Sequence, residues 1–351
     1  MVEPARASAS EVSSMRPGAE PNDAGPNDAE PTGVGAPVSV DRLVDVLRET
    51  FGAGRVGVDV RLAPLTSFDI GGPADCLFDA RTADEVAAVV RLARETRVPV
   101  TLLGGGTNVL VADRGIRGLV VRLRQARVDM AGADVVCAEA GVSINGLVRW
   151  LVTRGLGGLE AWAGTPGTVG GAIYGNAHYG GHLISEWVVS ATLLSPDGSI
   201  VEVPAAQMAF GYDCSRLQTS AEILLRATLR VIPDCDPAHL RVVARHSLMH
   251  RKRTQPLHLP SAGCAFQNPV SGRDEVPAGM PWSAGALIER AGLKGRWVGG
   301  AAVSMVHANF IVNRGGATAA DVRSLMELCR RDVLAQFGVT LRDEIVCLGE
   351  F

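Results

Sequence analysis

The sequence predicts an α+β protein of two domains, and three observations carry that expectation. Short β-type runs alternate with amphipathic helical stretches from Leu62 onward. The chain has 351 residues, more than one hydrophobic core ordinarily serves. After Ile232 and Pro233 the texture changes from strand-rich to helix-rich, which marks a second, smaller unit.

The elements follow in order. Residues 1–37 are rich in Ala, Pro, Gly, Asp and Glu, with PNDAG followed at once by PNDAE. Such a stretch holds too little apolar surface to offset its ordering entropy and reads as a disordered tail. Residues 40–51 read as a helix, with Leu43, Val46, Leu47 and Phe51 at helical spacing and Asp41 near the start. Residues 66–80 read as a strand, 82–96 as a helix capped by Thr82 with Asp84 and Glu85 in its first turn, and 99–103 as a strand. Strands over 119–123 and 135–141, a helix over 145–154 and a hairpin over 193–203 about Pro196-Asp197-Gly198 complete a first domain, 38–233. In the second domain, 234–351, a basic helix over 237–253 and amphipathic helices over 283–291 and 319–337 alternate with strand-like runs over 301–312 and 340–348.

Composition narrows the function. A net charge of −3 gives no broad electrostatic footprint for nucleic acid or an anionic membrane. No apolar run approaches the roughly 20 residues that span a bilayer, and the N-terminus lacks a hydrophobic signal core, so a cytoplasmic location without a membrane partner is expected. The seven cysteines, at 76, 137, 214, 235, 264, 329 and 347, form no CxxC pair and read as reduced thiols rather than a disulfide frame. No metal site and no obligate protein partner is expected.

The strongest local signal is LLGGGTNVLV at 102–111. Consecutive glycines let backbone N–H groups converge on an anion with no Cβ in the way. A second segment, GTPGTVGG at 164–171 followed by AIYGNAHYGG at 172–181, repeats the chemistry. One such loop alone could be a tight turn; two apolar-flanked ones suggest a long ligand carrying a diphosphate. The first loop runs on as an extended apolar segment and lacks the lysine of a P-loop, which disfavours a Rossmann or Walker site.

Six ordered motifs, TSFDIGGPAD, GGGTNVLVAD, GLEAWAGTPGTVGGAIYGNAHYGG, RKRTQPLHLPSAGCAFQNP, AGLKGRWVGGAAVSMVHANFIVN and LRDEIVCLG, resemble the UDP-N-acetylenolpyruvoylglucosamine reductase family from about residue 40 to the C-terminus. The resemblance implies an FAD-binding domain of the vanillyl-alcohol-oxidase type followed by a C-terminal UDP-sugar domain. The short spacing between Arg216 and Cys264 matches the compact branch, which lacks an inserted substrate-clamping loop. It further implies bacterial cell-wall precursor chemistry, in which NADPH reduces noncovalent FAD and the enolpyruvyl ether of UDP-N-acetylglucosamine is then reduced to UDP-N-acetylmuramate.

Residue by residue, the resemblance puts Cys264 of GCAFQNP where the family usually has its proton-donating Ser. An ordinary thiol, with a pKa of about 8.5, is mostly protonated at neutral pH and can donate. Glu344 matches the C-terminal catalytic carboxylate, with Asp343 as the fallback. The family's Tyr-Arg-x-Ser reads Tyr212-Asp213-Cys214-Ser215 here, so its catalytic cation is missing. Arg216 is the nearest replacement and Arg290 an alternative. FAD contacts are expected from Ser67, Ile70 and Gly71, from Gly104, Gly105, Gly106, Thr107, Asn108 and Val109, and from Gly164, Thr165, Pro166, Gly167, Thr168, Gly170, Gly171 and Ala172. Tyr179, Arg253, Gln255, Gln267 and Asn268 are expected on the UDP-sugar side, where amide and guanidinium groups suit uracil edges and phosphates. His307 and Asn313 read as structural. Another FAD oxidoreductase of the same fold, or a catalytically impaired nucleotide-binding descendant suggested by the missing arginine, stays open as an alternative.

Overall fold

Period-two alternation builds the first sheet in the computed structural model, which describes residues 40–351; the expected tail lies outside the described residues. Helix α1 (Val40–Phe51) buries Leu43, Val44 and Leu47 and leads to strand β1 (Val56–Arg61). Strand β2 (Pro73–Ala80) buries Ala74, Cys76, Phe78 and Ala80 on one face. On the other face Asp75 pairs with Arg117, and Asp79 accepts from Arg122 Nε at 2.8 Å and Nη2 at 2.7 Å. The strand expected over 66–80 thus begins only at Pro73. Thr66 Oγ bonds the carbonyls of Ala63 and Ile70, and Asp69 and Gly71 take φ of 54° and 151°, so the segment before it is a turn. Helix α2 (Ala83–Glu95) starts where Thr82 Oγ accepts from Glu85 N at 3.1 Å. Strands β3 (Val100–Leu103), β4 (Val109–Val111) and β5 (Ile116–Leu123) follow, and the four-stranded sheet runs β1-β2-β5-β3, antiparallel only at β1/β2.

A second sheet is antiparallel throughout. Strands β6 (Val128–Met130) and β7 (Val135–Glu139) precede helix α3 (Ile144–Thr153), capped by Ser143, and the short helix α4 (Val169–Tyr174), capped by Thr168. The two-stranded β8 (His178–Tyr179) and β9 (His182–Leu183) come next, then β10 (Val188–Leu194), β11 (Ile200–Pro204) and β12 (Ile223–Arg230). The sheet order is β11-β10-β12-β7-β6, and the expected Pro-Asp-Gly hairpin joins β10 to β11.

The C-terminal third departs from the expected division. Helix α5 (Pro237–Thr254) buries Leu240, Ser247 and Arg251, whose spacing puts them on one face, and Leu240 enters the core of the first domain. Ser247 Oγ donates to Ala161 O at 2.6 Å. By packing, this helix therefore belongs with the elements before residue 234. Helix α6 (Ala284–Arg290), strands β13 (Trp297–Val298), β14 (Ala301–Val303) and β15 (Ile311–Asn313), and helix α7 (Ala319–Phe337) form the second core around Leu287, Ile288, Val322 and Leu325. The strand expected over 301–312 is a hairpin of β14 and β15. Within 340–348 only β16 (Val346–Leu348) is a strand, and it pairs in parallel with β4. Phe68, Ile70 and Leu110 join the second core in return. The halves interlock, and residues 40–351 belong to one compact unit.

Candidate active site

The first glycine loop, residues 104–108, joins β3 to β4 and meets the second loop at contact distance. A Cβ on Gly105 would lie 2.9 Å from Gly167 Cα, and one on Gly104 would lie 2.7 Å from Thr168 Oγ. At Gly106, φ is 63° and a Cβ would stand 2.1 Å from Leu65 O, so only glycine fits. Among the described residues, the N–H groups of Gly105, Gly106, Thr107 and Asn108 donate to no protein acceptor. The second loop differs. Gly164 N donates to Asn145 Oδ1 at 2.6 Å, Thr165 N to Trp162 O at 2.9 Å, Gly170 N to Ala140 O at 2.8 Å, Gly171 N to Thr168 Oγ at 3.2 Å and Ala172 N to Thr168 O at 2.9 Å. The first loop thus offers donors, and the second mainly offers shape.

Of the residues expected to precede the cradle, Ser67 anchors it. Its N–H donates to Gly106 O at 2.9 Å and its hydroxyl to Ser261 O at 2.7 Å. Ile70 is buried in the second core, and Gly71 packs close to Val111, so both support the loop from behind.

The pairing of β16 with β4 delivers Glu344 to the open end of this loop. Asn108 Nδ2 donates to Glu344 O at 3.1 Å, and Glu344 N donates to Ala265 O at 3.0 Å, next to Cys264. Asn309 holds the GCAFQNP segment by accepting from Phe266 N at 3.0 Å and donating to Phe266 O at 2.7 Å. Burial pushes the Glu344 carboxyl up to about 8; neighbouring Asp213 raises it further and His178 opposes. Burial first, then the nearby Glu344 charge, raises the Cys264 thiol well above its ordinary value. Both shifts favour the protonated form at neutral pH. Asp213 sits in a tight turn at φ 53°, with Oδ1 3.3 Å from His178 Nδ1 and a buried Oδ2 that has no hydrogen-bond partner among the described residues.

The cations are arranged unlike the sequence expectation. Arg216 does not join this cluster: its Nε and Nη2 each donate to Glu222 at 2.8 Å and its Nη1 to Gln207 O at 3.2 Å. Arg290 donates to Gly279 O at 3.3 Å and lies against the Met280 sulfur. Asp343 is exposed and paired with Arg330. Sequence reasoning missed Arg251. This side chain is 6 % exposed, stacks over Tyr179 at 4.0 Å, donates to Thr165 Oγ at 2.8 Å and to Gln255 Oε1 at 3.3 Å, and keeps a buried Nε without a partner among the described residues. Its charge acts on Cys264, and burial lowers its own pKa. Arg253, chosen from the sequence, is exposed. Helix register held the missing signal, because 251 shares a face with 240 and 247 while 253 does not.

Tyr179 and Gln255 thus come together through Arg251. The Gln267 N–H donates to Arg342 O at 2.9 Å, and Asn268 Oδ1 accepts from Ala284 N at 3.0 Å, which ties it to the start of α6. Asn313 is structural: it donates to Phe68 O at 3.1 Å and accepts from Gly315 and Ala317. His307 accepts from Asn309 N at 3.2 Å. His246 and His250 stand one helical turn apart on α5, but no group of three side chains able to hold a metal occurs among the described residues.

Comparison with known proteins agrees with this geometry. Residues 74–204 match an FAD binding domain, and residues 255–348 match the C-terminal domain of UDP-N-acetylenolpyruvoylglucosamine reductase. The UDP-N-acetylenolpyruvoylglucosamine reductase of Trichormus variabilis is 40% identical over 293 residues, covering 83% of this chain and 85% of that one. The enzyme of that name from Anaeromyxobacter sp. (strain Fw109-5) is 42% identical over 301 residues, covering 85% and 90%. The crystal structure of the Thermus caldophilus enzyme (MurB) aligns with a TM-score of 0.68 at 33% identity, covering 82% of this chain and 97% of that one. The likeness spans both halves, and the chain belongs to the UDP-N-acetylenolpyruvoylglucosamine reductase family.

Proposed function

We propose that this flavin-dependent oxidoreductase reduces the enolpyruvyl ether of UDP-N-acetylglucosamine to UDP-N-acetylmuramate, with noncovalent FAD as electron carrier and NADPH as electron source. One observation carries the reading: four neighbouring N–H groups at 105–108, without protein acceptors among the described residues, open beside the half-buried Cys264 and Glu344, and Asn108 ties the Glu344 backbone to the same loop. Four free donors on a glycine backbone suit the oxygens of a diphosphate. Bound FAD supplies two-electron transfer between the nicotinamide nucleotide and the substrate.

The chain's own residues do the rest. Cys264 keeps its proton until negative charge develops on the substrate, then donates it to the carbon that becomes the lactyl stereocentre. Glu344, neutral at pH 7, donates a hydrogen bond to a substrate carboxylate oxygen as charge builds there. Arg251, buried and bonded only to neutral groups, is suited to an anionic oxygen of the substrate. Tyr179, Gln255, Gln267 and Arg253 complete the UDP-sugar side. Both reactants are soluble nucleotides, which suits a cytoplasmic enzyme of cell-wall precursor synthesis.

The test is direct. Acid precipitation of the purified yellow protein releases FAD into the supernatant, and NADPH is consumed stoichiometrically with the enolpyruvyl substrate. Flavin retained by the polypeptide, or NADPH consumption that ignores the substrate, overturns the reading.

A further inference from the structure

The turn at residues 211–214 is built to hold Asp213 in one place. Gly211 and Cys214 bridge each other, Asn176 Nδ2 donates to Gly211 O at 2.7 Å, and Gln218 Nε2 donates to Asp213 O at 2.9 Å. A carboxylate here meets Glu344 and Cys264, both acidic, in a site that must admit an anionic substrate. An uncompensated buried carboxylate would repel that substrate and carry a desolvation cost besides. The group that answers Asp213 is His178, on β8, whose side chain is 36% exposed. Its Nδ1 lies 3.3 Å from Asp213 Oδ1, and its ring packs on Tyr212 with centroids 5.6 Å apart. Arg251 is engaged with Thr165 and Gln255 instead.

We propose that His178, protonated and positioned by Asp213, is the cation that stabilises developing charge on the substrate in this reaction centre. The inference rests on the reduction assigned above. In that step two electrons and a hydrogen reach the methylene carbon, and the C=C electron pair shifts toward the carboxylate. The proton from Cys264 then closes the new C–H bond, and solvent restores the thiol. His178 makes and breaks no bond; it supplies charge. Asp213 is a positioning residue.

The titratable groups facing His178 are Asp213 and Tyr212 from the turn and Glu344 from the C-terminal segment; His182 and Glu186 share its own hairpin region. The Asp213 hydrogen bond outweighs burial and raises the imidazole above its ordinary 6.5. A required imidazolium is present below its folded pKa and lost above it. The substrate half-reaction should therefore slow as pH rises through that value.

Three variants of the holoenzyme test this. His178→Gln should retain FAD and the NADPH half-reaction while slowing the substrate half-reaction about 10²–10³-fold, the usual effect of removing one preorganised electrostatic group. His178→Arg should recover most of that loss and flatten the alkaline fall, because a guanidinium stays charged. Asp213→Asn should move the His178 titration, followed by nitrogen NMR of the imidazole, to lower pH and shift the alkaline fall with it. A His178→Gln rate equal to wild type, a His178→Arg rate as low as that of His178→Gln, or an unmoved imidazole titration in Asp213→Asn overturns the proposal. Failure of the wild type itself to reduce the enolpyruvyl substrate sinks the reading it rests on instead.

Discussion

The glycine loop at 104–108 and the side-chain cluster at its mouth are built by opposite means. The loop presents backbone dipoles, which do not titrate and which depend on the absence of Cβ atoms at its glycines. The cluster gathers Cys264, Glu344, Asp213, His178 and Arg251, whose charge states depend on how deeply the fold buries them and on one another. Damage to the loop should appear as lost flavin. Damage to the cluster should appear as lost chemistry on a fully loaded enzyme.

The largest expected effect tests that separation. Cys264→Ala should hold FAD and react with NADPH, yet lose roughly 10²–10⁴ in the substrate half-reaction, the contribution of a positioned general acid. Cys264→Ser should remain active. Stopped-flow absorbance of the flavin reads both half-reactions, and wild-type turnover by Cys264→Ala would make Cys264 a packed thiol only. The raised thiol pKa adds that alkylating agents react slowly at neutral pH, since the thiolate is the nucleophile.

Glu344→Gln comes next, with about 10²-fold expected from the loss of an acid that hydrogen-bonds developing charge. It also carries a stability signature. The Glu344 carboxyl rises from 4.5 to about 8 on folding, so its contribution is fully present below pH 4.5 and lost as pH rises through about 8. Urea midpoints of the wild type should decline across that window more than those of Glu344→Gln. Parallel curves would show that the carboxyl is not protonated when folded.

Why one region was readable from the sequence and the other was not follows from the same contrast. The loop is five consecutive residues, and its backbone requirement is written in its glycines; helices α1, α2 and α7 were likewise visible because apolar spacing and caps are local. The cluster gathers residues 178, 213, 251, 264 and 344, which only the fold brings together. Motif resemblance alone marks Cys264 and Glu344. His178 carries no local mark, and the sequence favours Arg253 over Arg251. The domain boundary slipped for a related reason: α5 has a narrow buried face of Leu240, Ser247 and Arg251, and no pattern states which core it will meet.

Within the loop, Gly106→Ala should lower bound flavin without altering the chemistry of the fraction that stays loaded. Its Cβ would stand 2.1 Å from a backbone carbonyl, so the loop must move. Gly198→Ala is the control: it also has positive φ, at 90°, but nothing lies within 4 Å of a Cβ there. It should cost only about 1–2 kcal/mol of conformational strain and leave flavin content intact. Equal flavin loss in both variants would mean that general destabilisation, not close approach, governs binding.

The smallest expected effect on turnover is at Arg216, the residue the sequence favours as the catalytic cation. Its guanidinium is committed to Glu222, whose side chain is only 7% exposed, and it points its third contact at a backbone carbonyl. Removing it in Arg216→Ala strands a buried carboxylate and should cost about 3 kcal/mol of stability, the low end for a buried pair broken from one side. The rate of the substrate half-reaction should not follow. Arg216→Ala together with Glu222→Gln should regain much of the lost stability, since the stranded charge is gone. A substrate half-reaction slowed by orders of magnitude in Arg216→Ala, with FAD content and thermal midpoint unchanged, would return the cation to Arg216 and remove the need for His178.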